Sequence, residues 1–469
     1  MSSVATNHVR SLSLLTLGTG LTFATAVAAT SVTARLYEAS DFGTLATFMA
    51  WIAVPTAVAN LRLSDAIPLS KTAALEACLI QASLETTLII CVLLSMLLAG
   101  LAVLDVLPLP LKLFLPLAMA VVVASSIHRL ACMVATKDGR FGWLMVLSVA
   151  LPFATGLGQV LGWQLGWSLT AGTALGITLS STPAAVLLLP RLTNLTLQRP
   201  MLPLALRAFP DFARHAAPFA ALGALRTRGF YFVVGLPDSR ISPTEVGSLQ
   251  QAERVSGWAN SGLTSVLRPA FHHSATVNPS QAAINAIETS GLLIQAIAGP
   301  ATLLAIYSDS ITELILGHGW DQSSESLRWL VIPASLFAAT NFSDRLFDML
   351  RRQGVLLTLE VAAALLTLLA AVLASIFSRS IHNLVVALAL ITALHSIGQF
   401  VALGVICRAS WILLAKPIAI FAMISGLIVT IDHIGRTMFA SSLLGLTTTL
   451  LCTSVMSMQV IRLFQRNRV

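Results

Sequence analysis

Apolar runs of about twenty residues alternate with short polar stretches along the whole chain. A helix needs about 20 mostly apolar residues to cross the hydrocarbon core of a bilayer. Fourteen runs meet that length, beginning near Ser11, Phe42, Leu84, Leu109, Phe141, Ser168, Ala216, Val246, Thr289, Leu327, Val355, Asn383, Trp411 and Thr437. Val355–Phe377 and Asn383–Cys407 are almost purely apolar, whereas Val246–Phe271 is the least hydrophobic of the set. In hydrocarbon every backbone polar group must be satisfied internally, so the runs predict helices and an all-α polytopic membrane protein. Arg10, an apolar stretch and Ala26-Val27-Ala28 imitate a signal peptide. The stretch continues to about Ala34 and many spans follow, which predicts an uncleaved first helix.

Composition agrees. Of 469 residues, 56% are hydrophobic and 10% charged, and mean hydropathy is +0.84. A soluble domain carries about 25% charged residues, so soluble enzymes and nucleic-acid binders are excluded as classes. The formal charge of +8 is informative by position. With the N-terminus in the cytoplasm, 19 Lys and Arg fall on cytoplasmic segments, 5 on outer loops and 4 within or at the mouth of spans. That asymmetry predicts fourteen spans with both termini cytoplasmic. Losing the eighth span would invert every later loop.

The longest basic stretch, Arg191–Arg214, holds Pro200, Pro203 and Pro210 and separates six spans from eight. The predicted organisation is a six-helix bundle over 1–190, a basic cytoplasmic linker over 191–215, a second six-helix bundle over 216–408, and two further spans with a basic tail over 409–469. Asp41-Phe42-Gly43-Thr44-Leu45 is echoed 204 residues later by Glu245-Val246-Gly247-Ser248-Leu249. The first and seventh spans share about the same offset, which predicts a parallel internal repeat of a kind common in transporters.

No phosphate-binding Gly-Lys-Ser/Thr loop, HExxH or GxSxG is present, and no outer loop is long enough for a catalytic domain. No cofactor is implied, and the chain does not read as an enzyme. The five cysteines are scattered without CxxC spacing or a His cluster, which argues against a disulfide framework or structural zinc.

Charge inside a span is costly and marks functional candidates. Arg226 and Arg228 lie two residues apart in the seventh span, about 200° around an α-helix. Two readings stand: a cationic site for a phosphate-bearing substrate, or a buried ion pair with Glu253 or another carboxylate. In the eighth span Gln250, Glu253, Ser256, Asn260, Thr264 and Arg268 recur every three or four residues, widened by Arg254, Ser261 and Ser265. Such a stripe lines water or a polar seam; a hydrated central path is the favoured reading. Glu360 reads as an isolated intramembrane acid, either a residue near the inner interface that snorkels, the favoured reading, or a proton-coupling site. Asp344, Arg345 and Asp348 read as a solvated inner cluster, and the last two spans as lipid-facing additions. Gly158, Gly162 and Gly166 suggest close helix packing, with Trp163 and Trp167 as interfacial anchors.

Arg35-Leu36-Tyr37 followed by Asp41-Phe42-Gly43 resembles the stretch after the first helix of Wzx-like polysaccharide-unit flippases, in the superfamily that also holds MATE exporters and the lipid II flippase. Leu61-Arg62-Leu63-Ser64-Asp65-Ala66-Ile67, Val246-Gly247 with Ala252-Glu253-Arg254, and Gly319-Trp320 resemble later motifs of that group. The seventh helix departs from it, with Thr227-Arg228 where members often carry Asp-Arg, and Val246-Gly247-Ser248-Leu249 lacks the usual aromatic residue. The resemblance implies two six-helix bundles flanking a central cleft, plus two helices, in a bacterial inner membrane. It implies a substrate, an undecaprenyl-pyrophosphate-linked oligosaccharide, moved to the outer leaflet for surface polysaccharide such as O-antigen or exopolysaccharide. Partners are then the lipid-linked oligosaccharide, membrane lipids and other polysaccharide assembly proteins, with no nucleic acid. Arg226, Arg228 and Arg254 are the first candidates for a phosphate-facing site, with Glu253 and Asn260 beside them and Arg35 and Arg62 at the membrane edges. The rivals are a MATE-like small-molecule exporter, which would prefer acidic intramembrane residues, and a membrane-embedded glycan polymerase or ligase, which would need a long outer loop.

Overall fold

The structure, a computed structural model, describes residues 2–103, 115–193, 200–236, 239–378 and 380–439. Those residues are helical almost throughout: α1 (Ser2–Leu36), α2 (Ala39–Val58), α3 (Ala73–Val103), α4 (Leu115–Lys137), α5 (Phe141–Gln164), α6 (Leu169–Leu192) and the short α7 (Leu202–Ala208) come first. Then follow α8 (Ala217–Ala224), α9 (Phe230–Val234), α10 (Pro243–Ser256), α11 (Trp258–Val277), α12 (Pro279–Ile306), α13 (Ser308–Leu316), α14 (Asp321–Thr340), α15 (Asp344–Met349), α16 (Gln353–Phe377), α17 (His382–Ile406) and α18 (Trp411–Phe439). Among the described residues ten helices are long and apolar enough to cross a membrane. The protein is a multi-pass membrane protein. The seventh, eighth and tenth expected spans fall outside those ten because breaks or charges interrupt them; the fourteenth, from Thr437, lies almost wholly outside the described residues.

Two compact units are defined by contact. The first comprises Met1–Gln250, Ile315–Gly317 and Glu360–Ile381; the second comprises Gln251–Leu314, His318–Leu359 and His382–Val469.

In the first unit, glycines let backbones meet. A Cβ on Gly158 would stand 2.5 Å from the Gly172 carbonyl oxygen, and one on Gly176 2.4 Å from that of Ala154, so α5 and α6 touch along their main chains. Trp163 and Trp167 are exposed. The Tyr37 hydroxyl donates to the Gln159 carbonyl at 2.9 Å, tying the α1–α2 corner to α5. Burial first, then the charge of Asp41, raises the Tyr37 pKa and keeps it a neutral donor.

Residues 201–212, ahead of α8, are packed against the first unit's core. Ala205 is fully buried in a core with Leu63, Ile67, Leu79 and Val134, against which Leu202, Leu206, Phe209 and Phe212 lie. The Glu85 carboxylate, on α3, accepts the backbone N–H groups of Met201 and Leu202 at 3.0–3.1 Å, satisfying donors at the start of α7. Near the start of α3, Glu76 pairs with both Lys137 and Arg191, and Arg191 also grips both oxygens of Asp138 at 3.0 and 2.8 Å.

The 204-residue echo has a physical counterpart. Asp41 Oδ2 accepts the Glu38 N–H at 3.1 Å, and Glu245 Oε2 accepts the Ser242 N–H at 2.9 Å, the same reciprocal cap at each helix start. A Cβ on Gly43 would lie 1.9 Å from the Pro243 oxygen, and one on Gly247 1.7 Å from the Ala39 oxygen. Each helix start thus takes the other's carbonyl into a notch that only glycine leaves open. Equivalent positions contact one another reciprocally, as in a local two-fold contact.

In the second unit α14 packs along α17, and α12 packs along α18. Leu414, Phe421, Ile424 and Ile428 of α18 are buried, and Thr302 donates to Ser425 at 2.9 Å. One side of the thirteenth span thus packs on the unit, while Trp411, Ile412, Met423, Leu427 and Val429 are exposed, as a lipid-facing helix requires. An apolar cavity of about 130 Å³ lies among Ile294, Leu336, Thr340, Ser396, Phe400 and Phe421. Its two hydroxyls are turned to backbone oxygens, Thr340 to Leu336 at 3.1 Å and Ser396 to Thr392 at 2.7 Å, so its walls offer water little to bond.

Candidate functional site

Between α8 and α9 the chain winds as a π-turn, Leu225–Gly229, that carries both arginines of the seventh span. Such wide turns sit inside helices at an energetic cost and concentrate at functional sites. The turn replaces the uniform α-helix expected there. Arg226 Nε donates to Glu360 Oε1 of α16 at 2.7 Å, and the two side chains are 9% and 1% exposed. Glu360 is therefore neither isolated nor snorkelling: it is sealed in the first unit as the counter-ion of Arg226. Its Oε1 lies 3.4 Å from where a Cβ on Gly223 would be, at ordinary contact distance from α8. Arg228 is turned elsewhere, its guanidinium carbon 5.9 Å from the centre of the Tyr231 ring.

Arg62, also in the first unit, is buried in a left-handed conformation with φ 59°. Its N–H bonds to the Asn60 side chain at 3.1 Å, and Nε stands 3.3 Å from Asp65, which Arg129 approaches at 3.4 Å. Two guanidinium groups around one carboxylate leave a net positive charge there. Arg35 is exposed and donates to the backbone oxygens of Ser31 and Ile315 at 2.7 and 3.0 Å.

Glu253, Arg254 and Asn260 belong to the second unit. The eighth span breaks at Gly257, between α10 and α11. Beyond the break the polar stripe is a seam: Asn260 Oδ1 accepts from Thr264 at 3.0 Å and from Asn341 at 3.2 Å. Arg268 donates to Asp344 at 3.0 Å, with side chains 33% and 10% exposed. Asp344 is thus buried and paired rather than solvated, Arg345 is half-buried, and the Asp348 side chain lies outside the described residues. Sequence reasoning missed Glu360 as the partner of Arg226; the available signal was an acid in a span opposite in sign to the arginines of another. Among the described residues no group of three or more His, Cys, Asp or Glu could hold a metal ion.

No family model matches the chain, and no curated protein matches it. Solved structures do. The lipid II flippase MurJ, in an inward closed conformation, superposes with TM-score 0.69 at 15% identity, covering 97% of this chain and 99% of that one. A mutant form of the Vibrio cholerae MATE transporter VcmN gives 0.58 at 13% identity over 88% and 99%. A MOP-superfamily transporter from Pyrococcus furiosus, described as having a binding pocket of reverse polarity that suggests a different function, gives 0.56 at 12% identity over 85% and 95%. The chain has the polytopic all-helical fold shared by these flippases and exporters.

Proposed function

We propose that the protein is a flippase for a polyprenyl-pyrophosphate-linked oligosaccharide in a bacterial inner membrane, with both termini cytoplasmic. The observation that carries this reading is the π-turn, which holds Arg226 and Arg228 in the expected seventh span of a fold shared with a lipid II flippase. A pyrophosphate and a glycan cannot cross hydrocarbon unaided, and arginines within the membrane lower the cost of the anionic headgroup. Arg254, Glu253 and Asn260 serve the same substrate, with Arg35 and Arg62 at the membrane edges. Alternating exposure of the site moves the headgroup while the polyprenyl tail stays in lipid. No bond is made or broken, so the protein is not an enzyme. Its partners are the lipid-linked substrate, membrane lipids and other polysaccharide assembly proteins.

The test is a proteoliposome assay with a fluorescent polyprenyl-pyrophosphate oligosaccharide. The native protein should flip it, and Arg226→Ala, Arg228→Ala and Arg254→Ala should each slow the flip at equal protein level. Unchanged rates in all three and in their combination overturn the assignment. Efflux of organic cations with no lipid flipping would instead mark an exporter.

A further inference from the structure

Arg226 is not held ready for a ligand; it is already bonded to Glu360, at 2.7 Å and out of solvent. A guanidinium at that depth with no anion beside it is strongly disfavoured. Glu360 removes that cost while no substrate is present. Carboxylate and phosphate oxygens engage the same fork of donors.

Resting on the flippase reading, we infer that Glu360 is a built-in substitute for the substrate's phosphate, and that the two exchange on Arg226. A pyrophosphate carries more charge and more oxygens than one carboxylate, so it can displace Glu360. A singly charged acid gains little by the exchange, and a cation gains nothing. Glu360 therefore sets which headgroups are taken up, and by returning to Arg226 it speeds their release. It is an affinity-setting residue that acts through Arg226.

The experiment uses the full chain in lipid nanodiscs, with undecaprenyl pyrophosphate and inorganic pyrophosphate as separate probes. Glu360→Gln keeps the shape and removes the competing charge. It should bind the lipid pyrophosphate about tenfold more tightly than the native protein, the scale of one charge-assisted hydrogen bond. Arg226→Gln should weaken binding, and Arg226→Gln with Glu360→Gln should match Arg226→Gln alone. In proteoliposomes Glu360→Gln should lower KM and kcat together, the mark of slowed release, which a merely structural role would not produce. A gain with both probes puts recognition in the headgroup; a gain with the lipid alone adds the tail; both support the exchange. An unchanged Kd in Glu360→Gln, or a gain that survives loss of Arg226, overturns it and leaves the pair as a fixed strut between helices. If Glu360→Gln fails to fold, Glu360→Asp, which draws the carboxylate back by one methylene, should give a smaller gain, and none overturns the inference. Failure of the native protein to bind the lipid is a different result: it overturns the functional reading and this inference with it.

Discussion

Helices α2 and α10 begin alike and continue differently. Both open with a reciprocal cap, Asp41 to Glu38 and Glu245 to Ser242, and both carry a glycine notch filled by the other's carbonyl. Past that point α2 runs as an apolar helix to Val58, while α10 stops at Ser256. At the 204-residue offset Ala46 aligns with Gln250, Thr47 with Gln251, Met49 with Glu253 and Ala50 with Arg254. The shared residues fix how two helix starts meet. The second copy differs from the first in carrying polar and charged residues there, and under the flippase reading proposed above those are the positions offered to the substrate.

The strongest way to break the likeness is at the notches. Gly43→Ala and Gly247→Ala each push a Cβ to within 2 Å of a backbone oxygen, which cannot swing aside as a side chain can. Each should cost at least about 3 kcal/mol, the upper end of ordinary overpacking. Thermal melting of the purified protein in detergent should show two similar, large losses. A mild effect at one position and a severe one at the other would show that the contact is not reciprocal.

Next comes the divergence itself. Glu253→Met with Arg254→Ala rewrites the second copy as the first. Melting and elution should stay near those of the native protein, while flipping of the lipid-linked oligosaccharide should fall about tenfold or more, as expected when charged contacts to a substrate are removed. Full transport by the double variant would place the task elsewhere on the chain.

The element pattern was largely legible because hydrocarbon imposes helix on any long apolar run. The starts near Phe141 and Trp411 coincide with the helices. The third and ninth runs were placed too late, at Leu84 and Thr289, while the helices begin at Ala73 and Pro279. Their first three or four turns carry Glu76, Gln81 and Glu85, or Gln281, Asn285 and Glu288, and hydropathy counts such residues against a span. Glu76 is admitted because Lys137 and Arg191 neutralise it, and Glu85 because it caps α7. Those partners lie about 60 to 120 residues away, so no local window contains them. The site shows the same limit. The sequence picks out Arg226 because charge in a span is rare, but its pairing with Glu360 spans 134 residues and the π-turn leaves no mark in hydropathy. The polar stripe of the eighth span was visible as a stripe, yet whether it faces water or another helix depends on Asn341 and Asp344 of the chain 80 residues on.

A smaller effect belongs to that seam. Thr56 stands where the second copy has Asn260, so Asn260→Thr again moves the second copy toward the first. The change removes the acceptor of Asn341 Nδ2 at 3.2 Å. It should cost about 1 kcal/mol, the net worth of one hydrogen bond, with transport little changed if the seam only joins helices. A large transport loss without a stability loss would support the substrate role proposed for Asn260, and unchanged transport would confine it to the seam.

The smallest contrast lies in the caps. Asp41→Ala removes the side-chain acceptor for Glu38 N–H and should cost about 0.5–1 kcal/mol, typical of a lost helix cap. Glu245 does more than its counterpart: besides the Ser242 N–H it accepts the Ser242 hydroxyl at 3.0 Å and the Ile381 N–H at 3.3 Å, and so ties α10 to the segment after α16. Glu245→Ala should therefore cost more than Asp41→Ala, by about one net hydrogen bond, or roughly 1 kcal/mol. Glu245→Gln should recover part of the difference, because an amide oxygen still accepts but without the charge that favours the helix N-terminus. Equal losses at 41 and 245 would mean the Ile381 contact carries no weight, and the second copy would have diverged through its polar residues alone, with its start left as the first copy has it.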